Sequence, residues 1–204
     1  MWNKDMWTVG GNVNFNYVDF ISSSDKKLIK KLYYESFDKD ERFPFWLLRK
    51  CSKEKNVRFN VIYNRDKMIG FQYIIEYDNV AYLMYFAIEK NQRNNGYGSE
   101  ILKELNISYK NVLLCTEKAN EQVSDIKHKR KLFYLRNGFV GTNKYIVDNN
   151  VEYELLCNNS NLNITKEILE KRYTMMTSSK ILRFIISKIF NVYNIKLKWV
   201  LKWE

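Results

Sequence analysis

The chain has 204 residues, 46% hydrophobic and 16% aromatic, with a formal net charge of +11; one domain with a sizeable core plus an appendage is the natural count. No apolar run approaches the roughly 18 residues needed to span a bilayer, and Met1-Trp2-Asn3-Lys4-Asp5-Met6 lacks the apolar region of a secretory signal, so a cytoplasmic location is expected. Three scattered cysteines (Cys51, Cys115, Cys157) and one histidine, His128 in a lysine-rich run, speak against a disulfide framework, and no metal is expected.

In chain order, the alternation Asn14-Phe15-Asn16-Tyr17-Val18-Asp19-Phe20 reads as a strand, and Ser24 caps an amphipathic helix over Lys27 to Tyr34. Pro44 opens a second helix with Phe45, Trp46, Leu47 and Leu48. An antiparallel meander follows: Val57 to Tyr63, Met68 to Tyr77 across Asn64-Arg65-Asp66-Lys67, and Val80 to Ile88 across Asp78-Asn79. The last of these strands runs into Arg93-Asn94-Asn95-Gly96-Tyr97-Gly98 and then a helix beginning at Ser99. A glycine-interrupted turn feeding a helix start is an anion site, because free backbone N–H groups and the helix dipole both favour a diphosphate. No Gly-Lys-Ser or Gly-Lys-Thr follows, so this is not a Walker loop, and the third glycine of a dinucleotide fingerprint is missing. Next come a strand from Val112 to Cys115 and a basic helix with Phe133-Tyr134 that stops at Asn137-Gly138-Phe139. In that stop Gly138 supplies a left-handed residue and Phe139 folds back on the last turn. A hairpin of Lys144 to Val147 and Val151 to Leu156 closes the series.

Arg93-x-x-Gly96-x-Gly98, followed downstream by Tyr134-x-x-x-Gly138-Phe139, resembles the GNAT (Gcn5-related) N-acetyltransferase superfamily over most of residues 14 to 157. The resemblance implies an α+β fold with a central, mostly antiparallel sheet flanked by helices. It further implies an enzyme that transfers an acetyl group from acetyl-CoA to a primary amine of a small molecule or peptide, by direct attack. By the same resemblance, the pyrophosphate falls to Arg93, Asn94, Asn95, Gly96, Tyr97, Gly98 and Ser99, and the pantetheine arm and thioester carbonyl to Phe86, Ala87 and Ile88. Tyr134 becomes the general acid for the thiolate. For the base, Glu41 and Glu76 are both candidates. An aromatic acceptor pocket of Tyr33, Tyr34, Trp46 and Tyr82 would suit a cationic or apolar amine. The alternative to an enzyme is a non-catalytic module that binds CoA and docks on a membrane or partner.

The division expected is a catalytic domain over 1–157 and a basic helical extension over 158–204, joined by the polar linker Asn158-Asn159-Ser160-Asn161. Residues 159–204 hold nine Lys plus Arg against three Glu. Their apolar face is read at Ile181, Leu182, Ile185, Ile189, Val192, Ile195 and Trp199, for packing on the domain, on a dimer mate or on an anionic membrane surface. No zinc-knuckle, helix-turn-helix or RNP-like pattern accompanies the charge, so no specific nucleic acid is expected.

Overall fold

A computed structural model describes residues 14–118, 126–148, 151–190 and 196–199. Its strands are β1 (Phe15–Asp19), β2 (Val57–Asn64), β3 (Lys67–Tyr77), β4 (Val80–Ile88), β5 (Val112–Glu117), β6 (Val140–Asp148), β7 (Val151–Cys157) and β8 (Lys196–Trp199). The helices are α1 (Lys26–Ser36), α2 (Phe45–Cys51), α3 (Tyr97–Ser108), α4 (Ile126–Arg136), α5 (Lys166–Thr174) and α6 (Lys180–Phe190). One sheet has the order β1-β2-β3-β4-β5-β7-β6-β8, and β4–β5 is its parallel pair. The meander and the two glycine signals thus form as expected. The cap read at Ser24 falls one residue later, at Asp25, whose amide is taken by Ser23 Oγ at 3.0 Å.

Alternation along the strands sorts the core into two faces. Tyr73, Ile75, Tyr82, Tyr85 and Ala87 pack with α1, α2, α5 and α6. Ile74, Ala81, Leu83 and Phe86 pack with α3 and α4. The parity changes within β4 because Tyr85 pairs Tyr73 and Leu83 pairs Ile74, leaving Met84 as an extra residue, a β-bulge. Tyr82 and Phe86, which strict alternation puts on one side, therefore face opposite ways.

β4 and β5 pair only through Ala81↔Val112, Tyr82↔Leu113 and Leu83↔Leu114, although β4 runs on to Ile88 and β5 to Glu117. Beyond the bulge the two strands diverge, and the sheet opens there. A bulge bends the strand that carries it, which accounts for the divergence starting at this point.

Two readings of the C-terminal segment need correcting. The stretch taken as a linker is stitched to the sheet: Asn158 Oδ1 accepts from Val112 N at 2.7 Å, and Asn158 Nδ2 donates to the Tyr109 carbonyl at 3.2 Å. The amphipathic helix ends at Phe190 rather than running to Trp199, and Lys196–Trp199 is β8, antiparallel to β6. Its Lys-Leu-Lys-Trp alternation has the period of a strand and meets the open edge of β6. The buried stripe of α6 is Leu182 and Ile186, one helical repeat apart, while Ile181 is 74% exposed. Val192, Ile195 and the side chain of Ile189 lie outside the described residues. Leu169, Tyr173, Met176, Leu182 and Ile186 join the same core cluster as Phe59 and Phe71.

Candidate active site

The opening between β4 and β5 is the floor of a cleft of ≈ 720 Å³. It passes through the sheet, bordered by α3 and α4 on one face and by the α1–α2 connection and α5 on the other.

On the α3 side, Asn94 (φ 64°) and Gly96 (φ 78°) take left-handed conformations, and Gly96 is the N-cap of α3. The first turn of a helix has N–H groups without intrahelical partners, here Tyr97 and Gly98. A Cβ placed on Gly96 would meet nothing within 4 Å, so the turn is open to the cleft. One on Gly98 would lie 3.0 Å from Phe133 Cζ, so Gly98 lets α3 and α4 approach closely. Phe86, Ala87, Ile88, Arg93, Asn94, Gly96, Tyr97, Gly98 and Ser99 all border the cleft. Asn95 does not; its Nδ2 donates instead to the Gln92 carbonyl at 3.3 Å, bracing the loop from within. Arg93 is exposed and folds back along the loop, with Nε donating to the Ile88 carbonyl at 3.0 Å. Since Glu89 N donates to the Ile69 carbonyl, the alternation of an antiparallel ladder directs the backbone groups of Phe86 and Ile88 away from β3, into the opening. A diphosphate with an extended amide-bearing arm fits these features: helix-start donors, a helix dipole, an unobstructed turn and a strand edge.

Tyr134 sits on α4, which ends in a Schellman motif. Phe139 N donates to the Tyr134 carbonyl and Gly138 N to the Leu135 carbonyl, with Gly138 at φ 86°. The Phe139 ring meets that of Tyr134 edge-on at 5.8 Å. This fixes the phenol against the cleft, where burial pushes its pKa up to about 12, with the Arg130 charge opposing and the Glu41 charge adding. It is a proton donor at neutral pH.

Of the two candidate bases, the structure brings Glu41 to the cleft and not Glu76. Glu76 is engaged elsewhere: Arg58 Nη2 lies 3.1 Å from it and Tyr109 Oη donates to it at 2.5 Å. Glu41 closes a 3₁₀ turn, Lys39–Glu41, in a capping box with Asp38. The connection is held down by two buried tyrosines. Tyr85 Oη accepts from Phe43 N at 3.0 Å and donates to the Glu41 carbonyl at 2.8 Å, while Tyr33 Oη donates to the Phe43 carbonyl at 2.9 Å. Burial raises the Glu41 pKa, and the Glu117 carboxylate raises it further; Arg130, 3.8 Å from Glu41 and 3.7 Å from Glu117, pulls the other way. Lys127 sits 2.9 Å from Glu117. Glu41, made more basic in this way, and the neutral Tyr134 phenol border the same cleft, an arrangement that can accept a proton at one group and give one at the other.

The expected aromatic acceptor pocket is largely something else. Tyr33 is core, Tyr34 and Trp46 are 44% and 50% exposed, and of the four only Tyr82 borders the cleft. Sequence reasoning missed Glu117, Arg130, Tyr85, Arg172 and Tyr173. Glu117, two residues past the apolar Val112–Cys115 run, carried the one readable signal, as a charge at the end of a central strand. His128 lies on α4 outside the lining. Among the described residues no cluster of three or more His, Cys, Asp or Glu could hold a metal ion, and no helix is long and apolar enough to cross a membrane.

Comparison with known proteins agrees with this geometry. A family model described as an acetyltransferase (GNAT) domain matches residues 55–141. Among solved structures, a putative GNAT-family acetyltransferase from Bacteroides thetaiotaomicron is similar, with a TM-score of 0.63 and 24% identity over 81% of this chain and 97% of that one. The ribosomal-protein-S18-alanine N-acetyltransferase of Escherichia coli gives a TM-score of 0.55 at 12% identity, over 74% of this chain and 99% of that one. A Bacillus subtilis acetyltransferase in complex with CoA gives 0.50 at 11%, over 71% and 97%. No curated protein sequence matches significantly. The resemblance drawn from the two motifs is thus borne out in sequence and in fold.

Proposed function

We propose, from the premise that residues 55–141 are a GNAT acetyltransferase domain on a GNAT fold, that this chain acetylates a primary amine directly, without an acyl-enzyme. Acetyl-CoA, when bound, supplies an acetyl group activated as a thioester. The N–H groups at the start of α3 and the loop from Arg93 to Ser99 would hold its pyrophosphate, and the outward backbone groups of Phe86 and the N–H of Ile88 would hold the arm and polarise the carbonyl. Glu41 takes a proton from the amine, directly or through water. The amine nitrogen forms its bond to the acetyl carbon as the carbon–sulfur bond breaks, and Tyr134 Oη gives its proton to the departing sulfur.

The observation that carries this reading is the joint placement of Tyr134 and Glu41 on one cleft with the α3 turn. Three free cysteines suit the reducing cytoplasm expected for it. The exposed Ile181 and Phe184 of α6 support a contact with a second copy or a membrane surface. Replacing Tyr134 by Phe tests the enzyme against the non-catalytic module. The turnover number should fall about a hundredfold while the acetyl-CoA dissociation constant, measured by calorimetry, stays nearly unchanged. Unaltered turnover would remove Tyr134 as the acid, and no turnover of any amine by the unsubstituted protein, with acetyl-CoA still bound, would favour the module.

A further inference from the structure

Three helices on one face of the sheet share an outer surface, and α2 joins the other two into it. Phe45 of α2 meets Tyr33 and Tyr34 of α1, ring centres 5.5 and 6.4 Å apart. Glu54, just after α2, accepts from Thr177 Oγ1 at 2.9 Å and from Ser178 Oγ at 3.1 Å, just before α6. The inner sides of the three, with Ile29, Leu32, Leu47, Leu48, Leu182 and Ile186, belong to one core cluster. Their outer sides hold large apolar groups in water. Of nine such side chains exposed among the described residues, five are here: Leu28 and Tyr34 on α1, Trp46 on α2, Ile181 and Phe184 on α6. None of the five lines the cleft. Exposed apolar residues scattered singly need no explanation, but gathered on one layer they mark a contact surface.

The charge on that surface is almost all of one sign. The four lysines of α1, Arg49 and Lys50 of α2, and Lys180, Arg183 and Lys188 of α6 are all exposed. Against them the three helices carry one carboxylate, Glu35, which lies 3.8 Å from Lys31. With the connections included, residues 20–56 and 176–190 hold thirteen Lys and Arg against six Asp and Glu, so a quarter of the chain holds most of its net +11. Carboxylates at the junctions are engaged: Asp25 accepts from Tyr63 Oη, and Glu54 from the two hydroxyls above. On α5, the remaining helix of this face, Glu167 pairs with Lys171 and Glu170 with Lys166. An isologous dimer would set this surface against itself, cation to cation. A nucleic acid would match the charge and leave the apolar groups uncovered. An anionic bilayer meets both, its headgroups taking the cations and the acyl boundary taking the apolar side chains. We propose that the layer of α1, α2 and α6 docks on a membrane surface rich in anionic lipid. The proposal chooses between the two contacts named above for α6 and depends on no step of acetyl transfer.

The test sediments the full chain with two sets of vesicles, one of phosphatidylcholine alone and one containing about a third phosphatidylserine. The chain should bind the anionic set at least about tenfold more tightly, and raising the salt from about 50 to about 500 mM should release it. I181S/F184S takes two apolar groups out of the contact and should weaken binding about tenfold or more. K27Q/K30Q removes two charges and should weaken it about ten- to thirtyfold. All four positions are exposed, so both variants should keep the urea midpoint of the unsubstituted chain; if one does not, the lipid and salt comparisons decide alone. Equal binding to both sets, no binding to the anionic set, or unchanged affinity in either folded variant overturns the proposal. So does a lipid-free dimer that I181S/F184S dissociates, which would give the face to a second copy. Turnover enters none of these measurements, so their failure leaves the acetyl-transfer reading standing.

Discussion

Glu41 keeps its carboxylate in a corner where four groups act on it: Glu117 and Asp38 by repulsion, Arg130 by attraction, and the Asp38 amide by hydrogen bonding. The sign of each predicts a pH profile. A base works deprotonated, so the acidic limb of kcat/KM follows its pKa. E117Q removes a repelling charge and should move that limb to lower pH; R130Q removes the attracting one and should move it higher. Limbs that stay put in both variants would show that Glu41 is not the base. Tyr85 acts at one remove. Y85F loses the hydrogen bonds to Phe43 N and the Glu41 carbonyl, and should cost about 1–3 kcal/mol in urea denaturation while lowering kcat more than it raises the acetyl-CoA dissociation constant. At this scale legibility was uneven. Tyr134 announced itself because its helix ends in Gly138-Phe139, a local signal. Arg172 announced nothing, since a basic residue on a short amphipathic helix is ordinary, and only tertiary packing sets it beside Tyr82.

The strands and helices that hold these residues depend on three glycines for three different reasons. A Cβ at Gly70 would lie 2.1 Å from the carbonyl oxygen of Ala87, backbone against backbone, so β4 itself must move. At Gly98 the obstacle is the far end of the Phe133 ring at 3.0 Å, which can yield, and at Gly96 there is open space but φ is 78°. Alanine at Gly70 should therefore be the most destabilising, on the order of 1–3 kcal/mol or more, with smaller losses at Gly96 and Gly98. Denaturant midpoints of the three variants give the order, and a G98A variant less stable than G70A would contradict it. Most element boundaries could be read from the sequence because strong period-two runs and glycine stops are local. The bulge at Met84 could not, since an unbroken apolar stretch, Val80 to Ile88, carries no mark of where its parity changes. The C-terminal strand was misread because Asn194, Lys198 and Lys202 continue a four-residue helical spacing, while the alternation that marks a strand, Lys196-Leu197-Lys198-Trp199, is only four residues long.

The molecule as a whole closes its larger core with the segment that the sequence seemed to append. A chain ending at Asn158 would uncover the side chains that Leu169, Tyr173, Met176, Leu182 and Ile186 cover, and should lose cooperative thermal unfolding; a sharp melt for that fragment would show the segment to be dispensable. Acetyl-CoA at a hundredfold excess over its dissociation constant should stabilise the intact chain by roughly 2.7 kcal/mol, read as a rise in melting temperature. Both the stability and the opening between β4 and β5 return to one residue. Met84 has no partner across the β3 ladder, and removing it would leave Leu83 opposite Ile74 and Tyr85 opposite Tyr73, with every core side chain on the face it now occupies. A chain shortened by that single residue would be a sturdier sheet with its seam sewn shut, folded and inert, so that the capacity to act is here an insertion that folding does not need.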